Sequence, residues 1–140
     1  MVNILVFEIG KVRFGIETMH VKNVIKRPDW INTEHFPNFT GGIVECYGQK
    51  MVVLNFSDEK LDKELWNDFI VVSFKNIKYI LPTEKIIDIF QIPEKDIAPI
   101  PLYAVRNLSE DFFKGVFPVD DKLILILDVS KFSSFEINHR

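Results

Sequence analysis

At 140 residues the chain can bury a real core, yet it is short enough to make one domain or two small fused barrels the expectation. Its formal charge of −3 comes from interspersed acids and bases, so no concentrated basic face is available and a nucleic-acid partner is not expected. The lone Cys46 excludes an intrachain disulfide and suits a reducing compartment. The opening run Met1 to Glu8 has neither the basic flank of a signal peptide nor the length of a membrane helix, so a cytoplasmic protein without membrane insertion is expected.

Thirteen phenylalanines, many Ile and Val residues and only two alanines, Ala98 and Ala104, favour pleated, half-buried strands over long helices. The fold class expected is all-β. In chain order, Ile4 to Ile9 reads as a strand joined through Gly10-Lys11 to Val12 to Glu17, a two-residue loop that matches strand twist. Strict alternation sends Val12, Phe14 and Ile16 to one face and Arg13 and Glu17 to the other. Thr18 to Ile25 has helical spacing at Val21, Val24 and Ile25 but is too short to support a helix, so a single turn followed by a strand is expected. Gly42 to Phe56 is a hairpin turning at Tyr47-Gly48-Gln49-Lys50. Asp58 to Leu65 is the best candidate for a short helix. Ile70 to Phe74 and Ile77 to Leu81 form a hairpin about Lys75-Asn76, and Ile86, Ile89 and Phe90 pose the same turn-or-helix question as Val21 to Ile25. Pro93 to Pro101 reads as an extended surface loop. Gly115 to Val129 is a hairpin turning at Asp120-Asp121. The unbroken run Leu123 to Leu127 implies a strand buried on both faces, and Lys131 to Arg140 is expected to fray.

The chain also repeats itself. At an offset of 65, Phe14 falls on Tyr79, Ile16 on Leu81, Val21 on Ile86, Val24 on Ile89 and Pro28 on Pro93; at an offset of 73, Gly42-Ile43-Val44 falls on Gly115-Val116-Phe117 and Val52-Val53-Leu54 on Leu125-Ile126-Leu127. Eight residues are therefore inserted between Pro93 and Gly115. Glycine, proline and turn positions coincide as well as apolar ones, so a duplicated β unit is expected. The first barrel would be mainly 2–57 and the second mainly 67–130, with room for strands to be exchanged between them.

Catalytic constellations are scarce. His20, His35 and His139 have no metal-ligand spacing with one another or with Cys46, and no phosphate loop or nucleophile elbow is present. Asp58, Glu59, Asp62 and Glu64 alternate with Lys60 and Lys63 as a solvated, ion-paired face would. A Cys46 nucleophile assisted by His20 or His35 would demand a fast-alkylating thiol, whereas strand alternation points to a packed one. No metal, cofactor or enzymatic activity is expected. Two small barrels side by side would instead create a groove and apolar ends, which are interaction surfaces.

Phe7-Glu8-Ile9-Gly10, Val21-Lys22-Asn23-Val24-Ile25, the loop proline Pro37, the Gly42 to Phe56 hairpin, Leu81 to Ile89 and Gly115 to Val129 follow one another as the motifs of a known family do. Over nearly its whole length the chain resembles the CheW-like domain of bacterial chemotaxis coupling proteins. The resemblance implies two fused SH3-like five-stranded β-barrels sharing a core, and a non-enzymatic adaptor in chemotaxis signalling. Its partners would be the regulatory domain of a CheA-type histidine kinase and the tip of a methyl-accepting chemoreceptor. Carried over position by position, Val21, Val24, Ile86 and Ile89 fall near the groove between barrels, where the receptor tip docks. Asn23, Glu45 and Tyr47 fall where partners are contacted, and Gly42, Gly48 and Gly115 are turn glycines of structural purpose.

The chain departs from the family's Asn-Leu-Arg-Gly motif: Tyr47 replaces the arginine and Glu45 the asparagine. Tyrosine exchanges a permanent planar cation for one hydroxyl and a ring, so that contact changes in kind. Two binding-class alternatives follow, a divergent scaffold for another histidine-kinase pathway and a module that associates weakly with itself.

Overall fold

The computed structural model describes residues 1–26, 41–46, 48–54, 66–101 and 112–132. These hold ten strands: β1 (Val2–Ile9), β2 (Val12–Glu17), β3 (Val21–Lys26), β4 (Gly41–Cys46), β5 (Gln49–Leu54), β6 (Asp68–Phe74), β7 (Ile77–Thr83), β8 (Lys85–Ile92), β9 (Phe113–Val119) and β10 (Lys122–Leu127). The class is all-β. The helix expected over Asp58 to Leu65 lies outside the described residues.

Local chemistry explains the hairpins. Gly10 and Lys11 have φ of 56° and 70°, Lys75 and Asn76 of 49° and 67°, and Asp120 of 55°, the left-handed geometry that lets a two-residue loop follow strand twist. Thr18–His20 forms one 3-10 turn before β3, as expected. The second copy differs, passing from β7 to β8 through a single bend at Glu84.

The strands form two five-stranded sheets, ordered β8-β1-β2-β10-β9 and β3-β6-β7-β5-β4. Under the repeat offsets β1 to β5 become β6 to β10, and the first order becomes the second. Pairing follows suit. Phe7↔Phe14 becomes Val72↔Tyr79, Val116↔Leu125 answers Ile43↔Val52, and the parallel junction Leu125↔Phe14 becomes Val52↔Tyr79. Each sheet takes the first hairpin of one repeat and the last three strands of the other, so both sheets mix the two halves of the sequence.

Three apolar clusters follow from this arrangement. Ile4, Val6, Ile92, Ile124 and Ile126 fill the first sheet, and Met51, Trp66, Phe69, Val71 and Ile80 fill the second. Each sheet thus curls about a small cluster of its own, as an SH3-like barrel does. The largest cluster joins the sheets, with Leu5, Phe7, Phe14, Ile16 and Leu125 from the first and Leu54, Ile70, Val72, Tyr79 and Leu81 from the second. β10 shows the division along one strand: Ile124 and Ile126 face its own cluster while Leu125 and Leu127 face the shared one. That is the two-sided burial its unbroken apolar run implied.

Two expectations need correction. The segment from Pro93 is not simply an extended surface loop. It makes a 3-10 turn at Glu94–Asp96, and Ala98 and Val116 then exchange backbone hydrogen bonds of 2.9 Å in each direction, which gives β9 an outer neighbour. The fraying expected from Lys131 does not begin there. Asp128 accepts a hydrogen bond from the Ser130 N–H at 3.1 Å, and the Phe132 ring is fully buried, edge-on to Tyr79 at 5.3 Å. Residues 133–140 lie outside the described ones.

The same bridge explains Gly115. A Cβ there would collide with the Ile97 side chain and come within 2.6 Å of the Ala98 carbonyl oxygen. Gly115→Ala is expected to cost about 1–3 kcal/mol, the range of an overpacked site, by displacing the 97–98 segment. Urea denaturation measures the cost, and faster amide exchange at Ala98 and Val116 would localise it. An unchanged midpoint would show that the segment yields freely.

Candidate protein-binding groove

β3 and β8 are the equivalent outer strands of the two sheets. Both carry a register shift at the same place, between Val21 and Asn23 in β3 and opposite Val6/Phe7 in β8. A bulge of this kind changes which residues share a face. Val21 is paired with Val72, and beyond the shift Val24 is paired with Ile70; Ile86 is paired with Phe7, and beyond the shift Ile89 with Leu5. All four partners belong to the shared core. Since cross-strand neighbours point the same way, Val21, Val24, Ile86 and Ile89 all stand on the side facing the other sheet.

Their depth differs in a symmetrical way. Val21 and Ile86 pack against the shared core. Val24 and Ile89, one strand position past each bulge, are 42% and 57% exposed. Each of the two outer strands thus carries one matched pair, an inner residue closing the inter-sheet core and an outer one facing solvent. Apolar side chains exposed at the same position of two equivalent strands, each next to a core-packed neighbour, mark a candidate interaction surface.

Asn23 does not join them. It is paired with Val71, a member of the second sheet's own cluster, so it is exposed on the opposite face of β3, as its counterpart Asp88 is on β8. Glu45 sits on β4 opposite Lys50, away from the rim strands, and Tyr47 lies outside the described residues. Gly48 occupies the β4–β5 turn with φ of 74°, as expected. Gly42 and Gly115 are not turn glycines; both lie within strands, opposite Val53 and Ile126, and for Gly115 the close approach of Ala98 supplies the reason.

Charge at the rim is asymmetric. Lys26 ends β3 and forms a 2.7 Å ion pair with Asp68, whereas the matching positions on the first sheet are Gln91 opposite Asn3. Glu84, at the crossover from β7 to β8, accepts hydrogen bonds from the Gly10 N–H at 2.8 and 3.2 Å and so ties the second crossover to the first hairpin. Its counterpart at the offset of 65 is Met19, 78% exposed, which has no carboxylate to make the same tie. His20 is half-buried with its ring edge-on to Phe74 at 5.8 Å. Among the described residues no three His, Cys, Asp or Glu side chains gather as metal ligands, and no helix is long and apolar enough to cross a membrane.

Two five-stranded sheets sharing a core on a duplicated β scaffold are what the family resemblance implied. The sequence model of the CheW-like domain matches residues 3–136. The chain belongs to the CheW-like family. Proteins called chemotaxis protein CheW share 19% identity in Klebsiella aerogenes, with 94% of this chain and 81% of that protein covered, and 22% in Thermotoga maritima, with 91% and 85% covered. The crystal structure of the scaffolding protein TtCheW from Thermoanaerobacter tengcongensis superposes with a TM-score of 0.70 at 22% identity, covering 91% of this chain and 84% of that one. The fold is therefore the pair of SH3-like barrels that the family shares, and the chain is a non-enzymatic chemotaxis adaptor. Cys46, at the end of β4 opposite Gln49, carries no catalytic role in such a protein.

Proposed function

We propose that this chain couples a CheA-type histidine kinase to methyl-accepting chemoreceptors in the cytoplasm, with the receptor's helical tip lying along the groove between β3 and β8. The observation that carries this reading is the matched exposure of Val24 and Ile89 above the core-packed Val21 and Ile86. Two apolar points, one on each sheet, suit the apolar stripe of a helix set in a groove. The kinase regulatory domain is assigned to the end of β4 at Glu45, with Tyr47 following in sequence, the positions at which the family resemblance puts partner contacts. With Tyr47 in place of arginine, a charged fork is replaced by a ring and hydroxyl, and the kinase surface facing it must differ accordingly.

The test is a pair of NMR titrations of backbone amides, with the regulatory domain of a CheA kinase and with a receptor tip fragment from the same genome. Micromolar binding of the receptor fragment with shifts concentrated on β3 and β8, and kinase binding with shifts concentrated elsewhere, is the expected outcome. Absence of both at millimolar concentration, with the fold intact, would turn attention to another kinase pathway or to self-association.

A further inference from the structure

Exchange of the two repeats carries each sheet onto the other: β3, β6 and β7 become β8, β1 and β2, and β4 and β5 become β9 and β10. A helix resting on Val24 and Ile89 therefore finds the same apolar contacts in two poses, related by that exchange. The poses differ only where equivalent positions carry different residues.

Such a difference stands in the next layer along the same strands. Beyond each bulge, alternation places Lys26 on the face of Val24 and Gln91 on the face of Ile89. Lys26 is paired with Asp68 and Gln91 with Asn3, and the offset of 65 relates the two pairs residue for residue. In the second sheet this layer is a 2.7 Å ion pair; in the first it is two neutral amides. The charged copy is firmly based. Asp68 is 8% exposed and Thr83, paired with it, 0%, and the Thr83 hydroxyl donates to the Asp68 carbonyl at 2.8 Å. The Asp68 side chain is 12% exposed and that of Lys26 86%. The pair thus presents its cation to solvent, and one carboxylate contact leaves ammonium N–H groups for a partner.

We propose that Lys26, held by Asp68, sets the direction of the docked receptor helix by pairing with a carboxylate side chain one helical turn from the apolar residue that meets Val24. The inference deepens the docking proposed above and rests on it. Two strand residues span roughly 7 Å and four helix residues roughly 6 Å, so an acidic side chain four residues from the apolar one reaches the ammonium. A helix laid over Val24 also takes water from Lys26, and a covered donor left without an acceptor weakens binding. In the exchanged pose the carboxylate meets Gln91 and Asn3, which carry no charge, and Lys26 goes without it.

The test uses the full chain and a receptor tip fragment carrying a nitroxide at one end of its docking helix. In the original protein the label is expected to broaden backbone amides beside Lys26 or beside Gln91, one set alone. Lys26→Gln, at an exposed position, is expected to weaken binding about fivefold, the scale of an exposed ion pair, to flatten its salt dependence and to broaden both sets. Transposing the layer with Lys26→Gln, Asp68→Asn, Asn3→Asp and Gln91→Lys is expected to restore the affinity and move the broadening to the other set. The Met1 amino group, two residues before Asn3, is the same in every variant and so does not enter the comparison. If the transposed protein fails to fold, Lys26→Gln alone decides. One-sided broadening that survives Lys26→Gln or stays in place on transposition, with shifts still on β3 and β8, would overturn the role of Lys26 and keep the docking site. No binding, or binding without shifts on β3 and β8, would overturn the docking reading and this inference with it.

Discussion

Phe14→Ala is expected to destabilise the whole protein by about 3–5 kcal/mol, the cost of deleting a buried phenyl ring from a close-packed core. Phe14 is 1% exposed and stacks with Phe7 at 5.6 Å and Phe113 at 6.0 Å, with interplanar angles of 22° and 21°. It also lies at the parallel junction of β2 with β10, opposite Leu125, where a hairpin from one repeat joins the strands of the other. Removing it opens a cavity in the one cluster that both sheets share. Against the ~5–15 kcal/mol that holds a typical domain together, the loss approaches unfolding at physiological temperature. Since neither sheet can be completed without strands from both repeats, the loss should appear as one transition, with circular dichroism and tryptophan fluorescence falling together in urea. Ile126→Val, which trims one methyl from the first sheet's own cluster, should cost about 0.5–1.5 kcal/mol in the same assay. Two separated transitions in the Phe14→Ala protein, or a cost no larger than that of Ile126→Val, would show that the sheets hold themselves without the shared core.

The duplication was legible because it lives in residue types: Phe14 and Tyr79, Val21 and Ile86, Gly42 and Gly115 hold equivalent strand positions at the two offsets. The connection between the copies was not legible. An offset says which positions are equivalent, and the junction Leu125↔Phe14 would satisfy the same apolar pattern whether β2 met the last strand of its own repeat or of the other. Only the paired strands decide it. The bulges hid the second feature. Counting by two from Val21 puts Asn23 on the groove side and Val24 on the far side. The register shift between Val21 and Asn23 reverses that parity, so Val24 reaches the rim and Asn23 leaves it. The bulges turn Val24 and Ile89 to the side facing the other sheet, where strand alternation alone would not have put them.

Val24→Asp combined with Ile89→Asp is expected to weaken binding of the receptor tip at least a hundredfold while leaving the fold in place. Both side chains are substantially solvent-exposed in the free protein, so the exchange deletes little packing and should lower the unfolding free energy measured in urea by less than about 1 kcal/mol, as surface substitutions do. In the proposed complex the same positions lie under an apolar helix, and each would place a carboxylate where neither water nor a cation meets it. Burying an unpaired charge is costly enough that two such sites exceed the ~2.7 kcal/mol corresponding to a hundredfold. Because the two residues occupy equivalent positions after equivalent bulges, the single substitutions should weaken binding by similar factors. The kinase regulatory domain, assigned to a different surface, should bind the double variant within about threefold of the original protein. Isothermal titration with both partners separates the outcomes. Loss of kinase binding with the receptor interaction intact would exchange the two surfaces, and unchanged affinity for both would leave the exposed pair without a role in coupling.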